Sequence, residues 1–198
     1  LQDPVLALYF DESAGGNVSD QSGHNFAAVP TGTIEYESSL SGKAPRFDGS
    51  AYFIVRDRQM LKFPRITLAA WVWPDQIKGR WGVMAKRSRG AAAPYVLALR
   101  DGGISFEATD TEGKWSYNMT TKPVIVPGAW NHIAVTCEEG VGIRVYCNGQ
   151  LAGEKQVTGK LVETDDILTI GYENWGGPES KAGESGNFRG LIDEVRIW

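Results

Sequence analysis

GLIDEVRIW, residues Gly190–Trp198, closes the chain and decides how the rest is read. It reads as a β-strand, in which alternate residues share a face. Leu191, Asp193, Val195 and Ile197 are expected on one face, and Ile192, Glu194, Arg196 and Trp198 on the other. The first row is apolar apart from Asp193. A buried carboxylate is costly unless hydrogen bonds, a cation or a metal compensate it, so this acid needs a partner.

Working outward, short runs of the same kind recur, bounded by Gly, Pro, Asn or Asp. They include VLALYF (5–10), ITLAAWVW (66–73), YVLALR (95–100), GISFEA (103–108) and WNHIAVTC (130–137). No window keeps an i, i+3, i+4, i+7 apolar pattern over three turns. The count comes to about eleven to thirteen strands, the pattern of an all-β sandwich or barrel. Glycine is plentiful, at 24 of 198 residues, and there are seven tryptophans, which suits many turns between many strands. The length suits one domain, with no linker or repeat to divide residues 1–198. The abrupt start and the end on a strand residue read as a domain cut from a longer protein.

The formal net charge is −4, with no long block of like charge. Nucleic acid and anionic membranes favour basic surfaces, so neither is an expected partner. No stretch approaches the ~18 apolar residues of a membrane span, and no signal peptide is visible.

Residues 131–149 form the clearest local unit. NHIAVTC and GIRVYC flank EEGV as a hairpin, and Asn148-Gly149 then gives the two-residue turn signal for another. A turn centred near residues 139–140 puts Cys137 opposite a residue near 143, and Cys147 opposite one near 133. The sulfurs are then too far apart along the strands for a disulfide, and both cysteines are expected as buried thiols.

FDESAGG, DQSG, RFDG, ITLAAWV, WNHIAVTC, VYCNG, LTIG and FRGLIDEVRIW occur in that order. The ordered set resembles the laminin-G-like domains of the concanavalin A-like lectin and glucanase superfamily, from Leu6 to Trp198. The resemblance implies a jelly-roll sandwich of two antiparallel sheets, in agreement with the strand count. Cys137 replaces a frequent aromatic of the pattern and Asn148 a frequent Asp; neither bears on a site.

Sandwiches of this kind usually bring the first and last strands together. Asp11–Glu12 would then approach Asp193–Glu194, with Asp48 in a separate glycine turn. Ca²⁺ prefers carboxylate and carbonyl oxygens. The resemblance therefore implies one structural Ca²⁺, with Asp193 as its first candidate ligand and Asp11 and Asp48 next. Two alternatives stay open: Asp193 accepts backbone N–H bonds and tethers a loop, or it pairs with Arg46 or Arg189.

The superfamily includes glycoside hydrolases. Retaining members need two carboxylates about 5–5.5 Å apart, which i and i+2 on one strand supply. The pattern Glu-x-Asp followed by a second Glu is not found. In EATDTE, Glu107 and Asp110 are three apart; Glu163 and Asp165 lack a following Glu. His24 lies in a loop and His132 starts a strand; no G-x-S-x-G elbow, H-E-x-x-H, C-x-x-C or P-loop occurs. Catalysis is not expected.

Sugar sites combine aromatic platforms with polar groups. The long polar segment 171–187 holds Asn174 and a lone Trp175. Residues 110–120 place Trp115 and Tyr117 on one strand face, and Arg87 lies in KRSRG. These five residues are the candidate ligand contacts. Trp71, Trp73 and Trp130 sit in apolar patterns and are expected to pack in the core or at strand ends. The expected function is a non-catalytic carbohydrate-binding or adhesion module of a secreted, periplasmic or cell-surface multidomain protein. Its partners would be carbohydrate or a surface protein, beside neighbouring domains of the parent chain. The alternatives are a protein-interaction domain of a membrane-anchored surface or sensor protein, and a divergent glycoside hydrolase.

Overall fold

The computed structural model describes residues 3–11, 16–87, 92–173 and 186–198. These residues form sixteen strands in two antiparallel sheets of eight. In chain order the strands begin with β1 (Leu6–Leu8), β2 (Val18–Ser19), β3 (Ala27–Thr31), β4 (Glu35–Ser38), β5 (Lys43–Asp48) and β6 (Tyr52–Val55). Next come β7 (Arg65–Pro74), β8 (Arg80–Lys86), β9 (Tyr95–Arg100), β10 (Gly103–Ala108) and β11 (Tyr117–Thr120). The last are β12 (Asn131–Glu138), β13 (Gly142–Cys147), β14 (Gln150–Gln156), β15 (Leu168–Ile170) and β16 (Arg189–Ile197). The surplus over the sequence count comes from pieces such as β2, β4 and β14, which lie outside the runs read as strands.

The first sheet runs β14-β13-β12-β7-β16-β5-β4, with β1 on β16; the second runs β11-β10-β9-β8-β15-β6-β3-β2. Leu6 pairs with Ile197, so the expected junction of first and last strands is present. Asp20 fastens that junction. Its carboxylate accepts the N–H groups of Ala7, Ser22 and Phe26 and the Ser22 hydroxyl. Alternation builds the core between the sheets. In β12, Ile133, Val135 and Cys137 are buried while His132, Ala134 and Thr136 are half-buried on the other side. Phe10, Phe47, Phe53 and Phe188 meet in the middle, with ring centroids 5.3–6.1 Å apart.

The β12–β13 hairpin has the expected register: Cys137 faces Ile143 and Cys147 faces Ile133. Both cysteines are free and buried, and burial pushes the Cys137 thiol up to about 12. Asn148 and Gly149 take φ of 50° and 78°, the left-handed pair that a tight hairpin turn requires.

Two expectations about facing are corrected. The alternation in β16 breaks at a bulge between Asp193 and Arg196, where Glu194 adopts φ 53°. Leu191 and Asp193 share a face with Trp73 and Trp71, whereas Ile192, Val195 and Ile197 point into the core. Asp193 is therefore not in the apolar row. Of the two places expected for Trp71 and Trp73, core or strand end, the core is excluded, and Trp73 takes the strand end, one residue before the close of β7. They lie half-buried on the outer face of the first sheet, edge-on to His132 and Trp130 at 5.1 and 5.9 Å.

Candidate functional site

On the outer face of the second sheet, register places Gly82 beside Ala98 and Ala85 beside Val96. The same row continues across β10, where Ala98 meets Ser105 and Val96 meets Glu107. Beside this buried row opens a cleft of about 640 Å³, lined by Arg80, Arg100, Glu107, Trp115, Asn118 and Glu173 among others. A groove of about 740 Å³ lies over β12–β14, between Arg65, Glu138, Arg144 and Glu154. Its ion pairs are well exposed, and such pairs contribute little and rotate freely. The cleft on the second sheet is the built site.

Its centre is Arg80, at the start of β8. Nε donates to both oxygens of Glu173 at 2.7 Å. Nη1 and Nη2 donate to the two oxygens of Glu107 at 2.7 and 2.9 Å. Nη2 also donates to Glu173 Oε1. The two carboxylates grip two edges of one guanidinium, the planar bidentate geometry that arginine allows. Burial disfavours the Arg80 charge, but the carboxylates outweigh it and hold its pKa above the usual arginine value.

Each member of the triad is delivered by a different element. Glu107 is on β10, two residues beyond Ser105 on the same outer row. Glu173 follows β15, and Gly82 explains its position. The Gly82 and Glu173 N–H groups both donate to Gly186 O at 3.1 Å, so the backbone at 173 and 186 lies against β8. A Cβ on residue 82 would fall 2.7 Å from Glu173 N and from Gly186 O. Only glycine permits that approach.

Beside the triad, the Arg87 guanidinium lies 5.1 Å from the Trp115 ring centroid, within cation–π range. Burial lowers the Arg87 pKa, and the Glu173 and Glu107 charges partly oppose this. Trp115 is half-buried against Ala85, Ala93 and Val96. Its turn is held by Asp110, whose Oδ1 accepts the N–H groups of Glu112 and Lys114, each at 2.9 Å.

Of the ligand contacts expected from sequence, Trp115 and Arg87 meet here. Tyr117 does not. It is fully buried, and its hydroxyl donates to Gly159 O at 2.6 Å and accepts the Gly140 N–H at 2.9 Å. Strand alternation failed for the pair because Trp115 precedes β11 and sits in the turn. Asn174 and Trp175 lie outside the described residues. The central roles of Arg80, Glu107 and Glu173 escaped the sequence reading. Ser105 and Glu107 at i and i+2 were the one local signal.

The carboxylates proposed for a metal are split. Asp193 is buried; it accepts the Ser39 hydroxyl and, at 2.7 Å, the Glu194 N–H. Burial raises its pKa to about 6; Ser39 and the Glu194 N–H oppose this, while the Glu194 and Asp11 charges add to it. Asp11 accepts the Lys43 N–H at 3.2 Å. Asp48 does not join them. It is exposed, accepts the Ser50 N–H and hydroxyl at 2.7 Å, and pairs across to Arg189, four positions along β16 from Asp193. Among the described residues no three His, Cys, Asp or Glu side chains converge on one point. The paired-arginine alternative also falls: Arg46 bonds Glu37 and Asp75, and Arg189 lies over Gly49.

Two eight-stranded antiparallel sheets closed by the first and last strands define a lectin-like jelly roll. The Laminin_G_3 profile, described as the concanavalin A-like lectin/glucanases superfamily, matches residues 47–198, and the chain belongs to that family. No curated protein matches the chain in sequence at a significant level. Among solved structures, the binding domain of Paraclostridial Mosquitocidal Protein 1 is similar with a TM-score of 0.78 at 16% identity, covering 99% of this chain and 48% of that one. The binding domain of Botulinum Neurotoxin DC, in complex with SialylT, gives 0.70 at 11% identity, covering 99% and 47%. Domain 4 of AbnA, an extracellular GH43 arabinanase of Geobacillus stearothermophilus in complex with arabinotriose, gives 0.70 at 20% identity, covering 98% and 91%. The chain thus spans about half the length of the toxin binding domains and nearly all of the arabinanase domain.

Proposed function

We propose that the chain is a non-catalytic carbohydrate-binding module whose glycan lies in the cleft on the second sheet. The observation that carries this reading is a cleft in which the Arg80–Glu107–Glu173 triad stands beside Trp115. A carboxylate fixed in place, here the edge of Glu107, accepts bonds from sugar hydroxyls without reorganising, and an indole edge or face supplies apolar contact. The similar arabinanase domain and botulinum binding domain, each solved with a glycan, support the same reading. Both glutamates are engaged as acceptors on one guanidinium, so neither is placed to hand a proton to a leaving group, which favours binding over hydrolysis. A secreted or surface-exposed multidomain parent is the matching context.

Calorimetry with a panel of plant and bacterial oligosaccharides tests the proposal. Trp115→Ala should weaken any binding at least ten-fold with little change in melting temperature. Absence of binding to every glycan would turn the reading to a protein-interaction domain. The half-buried aromatic row Trp71, Trp73, Trp130 and His132 on the first sheet is the feature that favours this second reading.

For the cation, we propose Asp193 and Asp11 as the carboxylate ligands of a structural Ca²⁺, completed by backbone oxygens. The support is the chemistry of the donors: two neighbouring carboxylates, one of them buried, with no basic side chain among the hydrogen-bond partners of Asp193. Millimolar calcium should raise the melting temperature relative to excess chelator; equal melting temperatures would remove the metal.

A further inference from the structure

We infer that the cleft selects uncharged glycans and rejects those bearing carboxylate or sulfate groups, because its arginine is capped on both forks. The inference rests on the carbohydrate reading of the same cleft. An arginine in a glycan site is ordinarily a reader of anions, since two parallel N–H groups match the two oxygens of a carboxylate or sulfate. Arg80 cannot act in that way. Glu173 takes the Nε hydrogen and one Nη2 hydrogen; Glu107 takes the other Nη2 hydrogen and one Nη1 hydrogen. The one N–H left on Nη1 has no parallel neighbour with which to form a fork.

What the centre of the site offers instead is acceptors. Glu173 is fully buried, so the acceptor edge that reaches the cleft is that of Glu107, which also accepts the Ser105 hydroxyl at 3.4 Å; such an edge is matched by neutral hydroxyls, which donate. A ligand carboxylate would meet the fixed Glu107 carboxylate with Glu173 behind it, and like charges so placed are disfavoured. The other charged groups do not reverse this. Arg87 is buried with its guanidinium over Trp115. Arg100 and Asp101 are exposed at the rim, one of each sign, where salt screens them.

The test compares matched ligands on the unaltered protein. Glucose- and galactose-based oligosaccharides are titrated against their glucuronate and galacturonate counterparts, and lactose against sialyllactose, at 0.15 M salt. Neutral members should bind at least ten-fold more tightly than their charged counterparts. Charged members binding as tightly or more tightly would overturn the inference while leaving the carbohydrate reading intact. Silence across both classes would overturn the two together. A variant gives the reciprocal result. Glu107→Ala opens one fork of Arg80 and should narrow the gap by raising affinity for the charged members. A melting curve of the variant establishes folding, and a gap unchanged in a folded variant would also overturn the inference.

Discussion

Asp193 is buried beside the bulge in β16 and accepts the Ser39 hydroxyl. Its folded-state pKa of about 6 lies above the ordinary carboxylate value of 3.8. Below pH 4 both folded and unfolded chains hold the proton. Between pH 4 and 6 only the folded chain retains it, so raising the pH favours unfolding. In excess chelator, stability should therefore fall by about 3 kcal/mol across that window and level off above it. Chemical denaturation at a series of pH values measures this, and Asp193→Asn should flatten the curve. The groups that face the carboxyl are Ser39, Asp11 and Glu194, and none supplies a positive charge. Bound calcium should reverse the slope by favouring the ionised form. A residue that looked like a flaw in an apolar row becomes a pH-dependent weak point that a cation can relieve.

At the scale of elements, local chemistry was legible where a turn and its two strands are adjacent in the chain. Asn148-Gly149 fixed one hairpin, and the register of β12 on β13 followed closely enough to separate the two thiols. The β16 bulge was not legible, because Glu194 at φ 53° carries no compositional mark as a glycine would. Trp71 and Trp73 misled for a related reason. β7 is apolar on both faces, and alternation cannot say which row faces the core when both rows are apolar. Gly82 was equally silent: its requirement arises from the segment at 173 and 186 lying across β8. Gly82→Ala must push that backbone aside and displace Glu173. We expect a loss of glycan affinity of at least ten-fold, with a fall in melting temperature, measured by calorimetry and thermal denaturation. Unaltered affinity would separate Glu173 from the binding site.

At the scale of the whole molecule, the site exists because the second sheet gathers distant residues. Arg80 meets Glu107 across 27 positions and Glu173 across 93. Such a buried triad is poor evidence for stability, since desolvation of the charges offsets their attraction. Breaking it is another matter. Arg80→Ala leaves two buried carboxylates facing one another and should cost roughly 3–5 kcal/mol. Replacing all three residues together with apolar ones of similar volume should restore most of that stability and abolish binding. Denaturant unfolding of the single and triple variants, with calorimetry of the triple, checks both halves. A triple variant that still binds glycan would show that the triad is scaffold alone.

The sequence by itself determined the all-β class, the hairpin register and the free thiols, which follow from alternation and turn residues and are local in the chain. The sandwich and the pairing of first and last strands were implied by the family resemblance, since residues so far apart in the chain leave no local signal of their contact. The sequence also singled out Trp115, through a strand face shared with Tyr117 that the structure does not keep, and Arg87, through the basic run KRSRG. Only the tertiary structure decided that Tyr117 is core, that Asp48 stands apart from Asp193, and that Arg80 is held between two glutamates. Those outcomes depend on which strands become neighbours and on a backbone crossing at Gly82. Contacts between residues far apart in the chain leave no periodic trace in it.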